Sequence, residues 1–139
     1  MEKIIFVVGG IFKKRNQVLL TSRPESKSHA GYWEFPGGKL ELNENHEQAL
    51  VRELNEELGI VVKVNELTYL TSINQKYQEN NVLLTLFTIR NWFGEFQSLE
   101  GQSLYWHNIN LDCKVSPLLP TTKTILNILF DREKYETVP

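Results

Sequence analysis

The chain of 139 residues carries 15 basic and 17 acidic side chains, for a formal net charge of −2 and a pI near 5.9. That length suits one domain around one core, and 41% hydrophobic with 23% charged residues excludes disorder, collagen-like repeats and a disulfide-dense miniprotein. The balance also lacks the basic excess of a protein that grips a nucleic-acid backbone, so no direct nucleic-acid binding is expected.

Glu2 and Lys3 lead straight into the apolar run Ile4 to Val8, which is far short of the ~20 residues a membrane span needs. Without a basic segment, long apolar stretch and small-residue cleavage site in these first residues, no secretory signal is expected. The expectation is a cytoplasmic protein that makes no membrane contact, in which the single Cys113 has no internal partner. Lys3 to Phe12 and Gln17 to Arg23 are rich in Ile, Val, Leu and Phe and flank a polar Lys13-Lys14-Arg15-Asn16, which predicts an antiparallel hairpin. Gly9-Gly10 within the first strand predicts a bulge or a close approach of other groups to the backbone. Pro24 to Gly31 reads as a polar loop, Tyr32 to Phe35 as a short aromatic segment, and Pro36-Gly37-Gly38 as a turn.

From about Asn45 to Leu58 the pattern turns helical, with Leu50, Leu54 and Leu58 every fourth residue and Gly59 as the C-terminal cap. Ile60 to Val64, Leu67 to Ile73, Val82 to Ile89 and Ser103 to His107 read as strands, and Asn91-Trp92-Phe93-Gly94 as a turn. A second helix is expected from Thr121 or Thr122 to Phe130, burying Ile125, Leu126, Leu129 and Phe130. Strands surrounding two helices predict an α/β (α+β) domain over 1–139, a mixed sheet sandwiched between helices.

The acids are unevenly spread: Glu41, Glu44, Glu47, Glu53, Glu56 and Glu57 crowd one segment, opposed there by Arg52 alone. The plain alternative is a solvated helix face. At 100° per residue Glu53, Glu56 and Glu57 share one arc while the leucines define the adjacent one, so a single rigid helix presents three carboxylates beside its anchoring face. Like charges held together call for a cation, and oxygen-only donors select a hard ion, Mg²⁺ or Mn²⁺. Arg52 is placed to pair with Glu56 at i,i+4 or with Glu44, restraining the carboxylates. Gly37-Gly38 lets backbone carbonyls approach a ligand, and Lys39 adds positive charge. Together these features predict a place where a polyphosphate binds through bridging divalent ions and is attacked by activated water.

Gly38, five residues, Glu44, seven residues, then Arg52-Glu53-Leu54-Asn55-Glu56-Glu57-Leu58-Gly59-Ile60 is similar to the full signature of the Nudix hydrolases. Trp33-Glu34-Phe35-Pro36-Gly37-Gly38-Lys39, Arg23-Pro24, Ala49 to Leu54 and Glu100-Gly101-Gln102 extend the resemblance to the MutT branch over most of the chain. That branch comprises small nucleoside triphosphate pyrophosphohydrolases, among them sanitisers of 8-oxo-dGTP and relatives that prefer CTP or other pyrimidine nucleotides. The resemblance implies Mg²⁺, or Mn²⁺ in its place, held by Glu53, Glu56, Glu57 and the Gly38 carbonyl. Arg52 and Glu44 would fix the geometry, and Glu100 would complete the metal site or help activate water.

The implied partner is a nucleoside triphosphate, hydrolysed to nucleoside monophosphate and pyrophosphate by a monomer or homodimer. Arg23 and Phe35 match positions that approach the nucleotide, and Tyr77, on the loop between two strands, would cover its sugar. Where 8-oxoguanine-directed relatives carry an amide in a Pro-x-Asn pattern, this chain reads Pro120-Thr121-Thr122. A hydroxyl cannot donate to one purine atom and accept from another at the reach of an amide, which weakens the case for 8-oxo-dGTP and leaves CTP open. A third reading is a nucleotide-sensing module without activity; the complete glutamate set argues against it. His29, His46, His107 and Cys113 show no metal-ligand or nucleophile spacing and are expected to be ordinary polar or packing residues.

Overall fold

The computed structural model describes residues 3–77 and 79–136. In chain order the elements are β1 (Lys3–Lys14), β2 (Gln17–Ser22), β3 (Trp33–Glu34), β4 (Gly37–Lys39), α1 (His46–Leu58), β5 (Leu67–Tyr77), β6 (Asn80–Ile89), β7 (Leu104–Asn108) and α2 (Pro120–Glu136). The mixed sheet between helices is the architecture expected. Alternation along the strands directs side chains to two faces. Val8, Phe12, Leu19 and Phe87 pack with Leu50, Leu54 and Leu58 of α1, whereas Ile11, Val18, Leu20 and Leu86 pack with Ile125 and Leu129 of α2.

The hairpin of β1 and β2 is confined to Lys13↔Val18 and Lys14↔Gln17, with Arg15 at φ 57° in the turn. The longer partnership of β1 is parallel, with β6, from Lys3↔Asn80 to Phe12↔Ile89. Its register is unbroken at Gly9 and Gly10, so the close approach and not the bulge accounts for these glycines. A Cβ on Gly10 would lie 3.0 Å from Ile89 Cδ1 and 3.3 Å from Leu54 Cδ1, within the seam where α1 meets the sheet.

Five expectations are corrected. Pro36-Gly37-Gly38 is not a simple turn: Gly37–Lys39 forms β4, antiparallel to β1 through Val8↔Gly38 and Gly9↔Gly37. Ile60 to Val64 is not a sheet strand. Val61 exchanges both backbone bonds with Phe93, at 3.0 and 2.9 Å, and a 3₁₀ turn over Val64–Glu66 then ends the extended segment. The alternation there reflected burial alone, since Ile60 and Val62 are in the core and Val61 and Val64 are exposed.

Tyr77 is not on a loop: β5 continues through polar residues to pair Tyr77 with Asn80, because partnered backbone suffices for a strand whatever its side chains. The Tyr77 side chain lies outside the described residues. Phe130 is 45% exposed rather than buried, because the buried stripe of α2 runs Thr122, Ile125, Leu129 and Phe130 falls beside it. The helix also runs beyond Phe130, to Glu136, and Lys13 Nζ reaches Glu133 at 3.0 Å across to β1.

Candidate active site

The ends of α1 are fixed by its own sequence. Asn45 Oδ1 accepts from Gln48 N at 2.8 Å while Gln48 Oε1 accepts from Asn45 N at 3.0 Å, a reciprocal cap. Gly59, at φ 69°, donates back to Asn55 O at 3.0 Å and closes the last turn. Between these caps the leucines hold the helix on the sheet, and the next face points to β4.

Arg52 organises that face. It grips Glu44 with two bonds, Nε to Oε2 at 2.7 Å and Nη2 to Oε1 at 2.9 Å, and Nη1 donates to Glu53 Oε1 at 3.0 Å and Glu56 Oε2 at 3.2 Å. Both partners proposed for Arg52 from spacing are therefore engaged at once. Nη2 also reaches Lys39 O at 3.1 Å and so ties the exit of β4 to the helix. Glu44 is fixed from behind by Glu41 N at 2.8 Å. The Arg52 hydrogen bonds, then the backbone bond, hold the Glu44 carboxyl down to about 2.

The three helix carboxylates differ in environment. Glu56 is half exposed, Glu53 lies partly buried beneath Gly38, and Glu57 is buried. Burial pushes Glu53 up against the opposing pull of Arg52. Burial, then the charges of Glu53 and Glu100, push the Glu57 pKa up to about 9, with the charge of Lys27 opposing. Among the described residues no three His, Cys, Asp or Glu side chains form a preassembled metal cluster. The donor set nonetheless fits a hard divalent ion: it is all oxygen, mutually repelling and partly dry, so a cation would relieve the cost carried by Glu57 and Glu53.

Gln102, part of the Glu100-Gly101-Gln102 segment but without an expected role, holds the loop that bears Glu100. Its buried amide donates from Nε2 to Glu57 O at 3.0 Å, and its Oε1 accepts from Glu100 N at 2.9 Å and Ser98 Oγ at 3.1 Å. Ser98 Oγ also donates to Gln102 O. Leu99 N bonds the same Glu57 carbonyl at 3.1 Å, so the loop bearing Glu100 is stitched to the last turn of α1. The sequence signal was its place in the Glu100-Gly101-Gln102 segment of the resemblance, two residues after Glu100.

A cleft of about 810 Å³ opens over β4 and β1. It brings together the predicted Arg23, Phe35, Gly38, Lys39, Glu53 and Thr122; Glu44, Arg52, Glu56, Glu57 and Glu100 stand outside its lining. Glu34, Lys27 and His29, absent from the predicted set, also line it. Arg23 is engaged within the wall, Nη1 to Glu34 Oε1 at 2.9 Å and Nε to Ser28 O at 2.7 Å. Burial raises Glu34 and Arg23, followed by Lys27, pulls it back.

Thr122 lies in the wall, yet its hydroxyl donates to Trp33 O at 2.9 Å and the residue is 1% exposed, so it has no hydroxyl hydrogen to offer a base. Leu119 N bonds the same carbonyl at 3.2 Å, latching α2 to β3. Thr122→Val keeps the shape and removes one of those two donors. It should lower stability by about 1 kcal/mol in urea unfolding and leave the order of nucleotide preference unaltered in a rate comparison.

His46 packs edge-on to Phe6, and His107 is buried, which lowers its pKa; Cys113 Sγ donates to Val115 O at 3.5 Å. All three are packing residues, as expected, while His29 is at φ 56° against Tyr32 on the cleft rim.

A mixed sheet between two helices, with a diglycine strand and a glutamate-bearing helix joined around one arginine, defines a hydrolase of the Nudix class. The chain belongs to that family: a family model described as the NUDIX domain matches residues 3–110. Within it the chain is MutT-like and acts on phosphorus anhydrides. It is 38% identical over 106 residues to the 8-oxo-dGTP diphosphatase of Proteus vulgaris, covering 76% of this chain and 93% of that one. It is 40% identical over 104 residues to the CTP pyrophosphohydrolase of Escherichia coli (strain K12), covering 75% and 76%. The solution structure of the E. coli ORF135 protein superposes with a TM-score of 0.83 at 32% identity, covering 99% of this chain and 96% of that chain. Among the described residues no helix is long and apolar enough to cross a membrane.

Proposed function

We propose that this chain, as one domain, is a divalent-metal-dependent nucleoside triphosphate pyrophosphohydrolase that releases nucleoside monophosphate and pyrophosphate, with oxidised purine triphosphates such as 8-oxo-dGTP as substrates. The observation that carries this reading is the junction of the two halves of the site. Glu53 lies under Gly38 at the edge of a cleft that also holds Arg23, Lys27, Phe35 and Lys39. A volume of about 810 Å³ is within the range of sites that enclose a nucleotide-sized ligand.

In this reading Glu53, Glu56, Glu57 and Glu100, with the Gly38 carbonyl, hold Mg²⁺, and Mn²⁺ is its natural substitute. A bound divalent ion supplies charge neutralisation at the phosphate oxygens and a more acidic water. Arg52 orients Glu53 and Glu56, Glu44 orients Arg52, and Gln102 orients the Glu100 loop. Phe35 and the α2 N-terminus flank the base; Lys39 faces the phosphates. The metabolic role in this reading is removal of damaged nucleotides before they are copied.

A second reading, the same chemistry on CTP, is favoured by the commitment of the Thr122 hydroxyl to Trp33 O, which leaves no carboxamide equivalent for a purine edge. The relatives named 8-oxo-dGTP diphosphatase and CTP pyrophosphohydrolase match this chain about equally, and so support both. The test is kcat/KM on 8-oxo-dGTP, dGTP and CTP with 5 mM Mg²⁺, and again with EDTA, as about 5 mM saturates sites of millimolar affinity. Mg²⁺-dependent pyrophosphate release, fastest on 8-oxo-dGTP, is the expected result. A preference for CTP would select the second reading, and undiminished rates in EDTA would overturn both.

A further inference from the structure

We propose that Lys27 is a phosphate-binding residue of this chain, its ammonium meeting the anionic chain of the nucleotide in the cleft; the inference rests on the nucleotide reading above. The cleft must receive a polyanion although Glu34 and Glu53 stand in its wall. Its cationic lining consists of Arg23, Lys27 and Lys39, with His29 beside them. Arg23 is committed to Glu34 and Ser28. Arg52, behind the wall, is committed to Glu44, Glu53 and Glu56. Those guanidinium groups shape the site and cannot leave their partners without exposing half-buried carboxylates.

Lys27 differs. Among the described residues no salt bridge fixes its ammonium, and its charge reaches the Glu34 carboxyl at the cleft wall. The backbone that carries it is restrained. Lys27 N donates to Pro24 O at 3.0 Å, Gly31 N to Arg23 O at 2.9 Å, and Arg23 Nε to Ser28 O at 2.7 Å, so the arginine pins both ends of the loop. A four-carbon stem on a restrained base, lining a cleft whose arginine is already committed to Glu34, suits a phosphate contact made as a point charge. The bland alternative is a lysine solvated at the rim, which would leave binding unaltered on removal.

The test is equilibrium binding of non-hydrolysable α,β-methylene analogues of dGTP and CTP to the full chain in Mg²⁺. Lys27→Ala should weaken both about tenfold, Lys27→Arg should stay within about threefold of wild type, and Lys27→Glu should bind more weakly than Lys27→Ala. The deficit should shrink at high salt, because the lost contact is a screened charge. A dissociation constant for Lys27→Ala within twofold of wild type, or a deficit confined to one base, would overturn the proposal. Hydrolysis of the natural nucleotides by the wild type is followed in parallel. Tight binding without cleavage would sink the enzymatic reading and spare Lys27, whereas cleavage with unaltered Lys27→Ala binding would sink Lys27 alone.

Discussion

Glu57→Gln should lose about 10³-fold in kcat and, in the absence of metal, be more stable than the wild type. These two effects have opposite signs and one cause. Glu57 is buried on the α1 face that looks toward Glu53 and Glu100, and its carboxyl is pushed up to about 9 by that burial and those charges. A group held protonated in the fold but ionised in the unfolded chain makes folding take up a proton at neutral pH. The folded state then binds more protons than the unfolded state between the ordinary carboxylate range and about 9. Metal-free stability should therefore fall as pH rises through that window, by up to about 1.4 kcal/mol per pH unit. A glutamine does not ionise and carries no such slope.

Urea unfolding in EDTA at pH 6 and pH 8 reads this directly, as a gap between variant and wild type that widens with pH. Adding Mg²⁺ closes the gap from the wild-type side, since an ion that binds only the folded chain stabilises it by about 1–2 kcal/mol at tenfold its dissociation constant. The variant, lacking the anion, gains little. Glu44 works with the opposite sign: held down to about 2 by Arg52, it contributes stability above the usual carboxylate range, which is lost as pH falls toward 2. A Glu57→Gln protein with wild-type turnover would remove Glu57 from the metal site, and one whose metal-free stability parallels the wild type at both pH values would overturn the raised pKa of its carboxyl.

Much of this was legible before any coordinates. The period-four leucines fixed which face of α1 is buried, and the arc beside it held the carboxylates, because helical geometry alone relates those positions. The Glu44 and Glu56 partners of Arg52 followed from spacing and charge. What stayed hidden depends on chain segments distant in sequence. The parallel pairing of β1 with β6 has no local signature, and without it Gly37–Lys39 looks like a turn instead of a strand laid on β1. The burial of Glu57 was hidden because the 97–102 loop that covers it arrives from 45 residues further on, through Gln102. The commitments of Arg23 to Glu34 and of Thr122 to Trp33 O were hidden for the same reason: a polar side chain in a sequence does not declare which partner will consume it.

Gly37→Ala and Gly38→Ala, one residue apart, should fail in different ways. A Cβ on Gly37 would overlap Val8 O and sit 2.8 Å from Gly9 Cα, both backbone atoms of β1 that are fixed by the parallel ladder to β6. Neither can move without breaking Gly9↔Gly37 pairing and the bond from Gly10 N to Pro36 O at 2.8 Å, so Gly37→Ala should cost about 3 kcal/mol or more. The three atoms nearest a Cβ on Gly38 all belong to the carboxylate of Glu53, the far end of a flexible side chain. Glu53 can swing away, at about 1 kcal/mol for a displaced rotamer, so Gly38→Ala should fold. Swinging away, however, breaks the 3.0 Å bond from Arg52 and takes the carboxylate off the cleft edge. Displacement of a reacting group by about 1 Å costs about 10²-fold in rate, and that loss should appear in kcat with the melting temperature lowered by only about 3–5 °C. Melting curves and kcat measured side by side on both variants separate the two glycines. A Gly38→Ala enzyme with wild-type kcat would mean that Glu53 does its work from some other position than the one beneath Gly38, and the assignment of Glu53 to the metal site would fall with it.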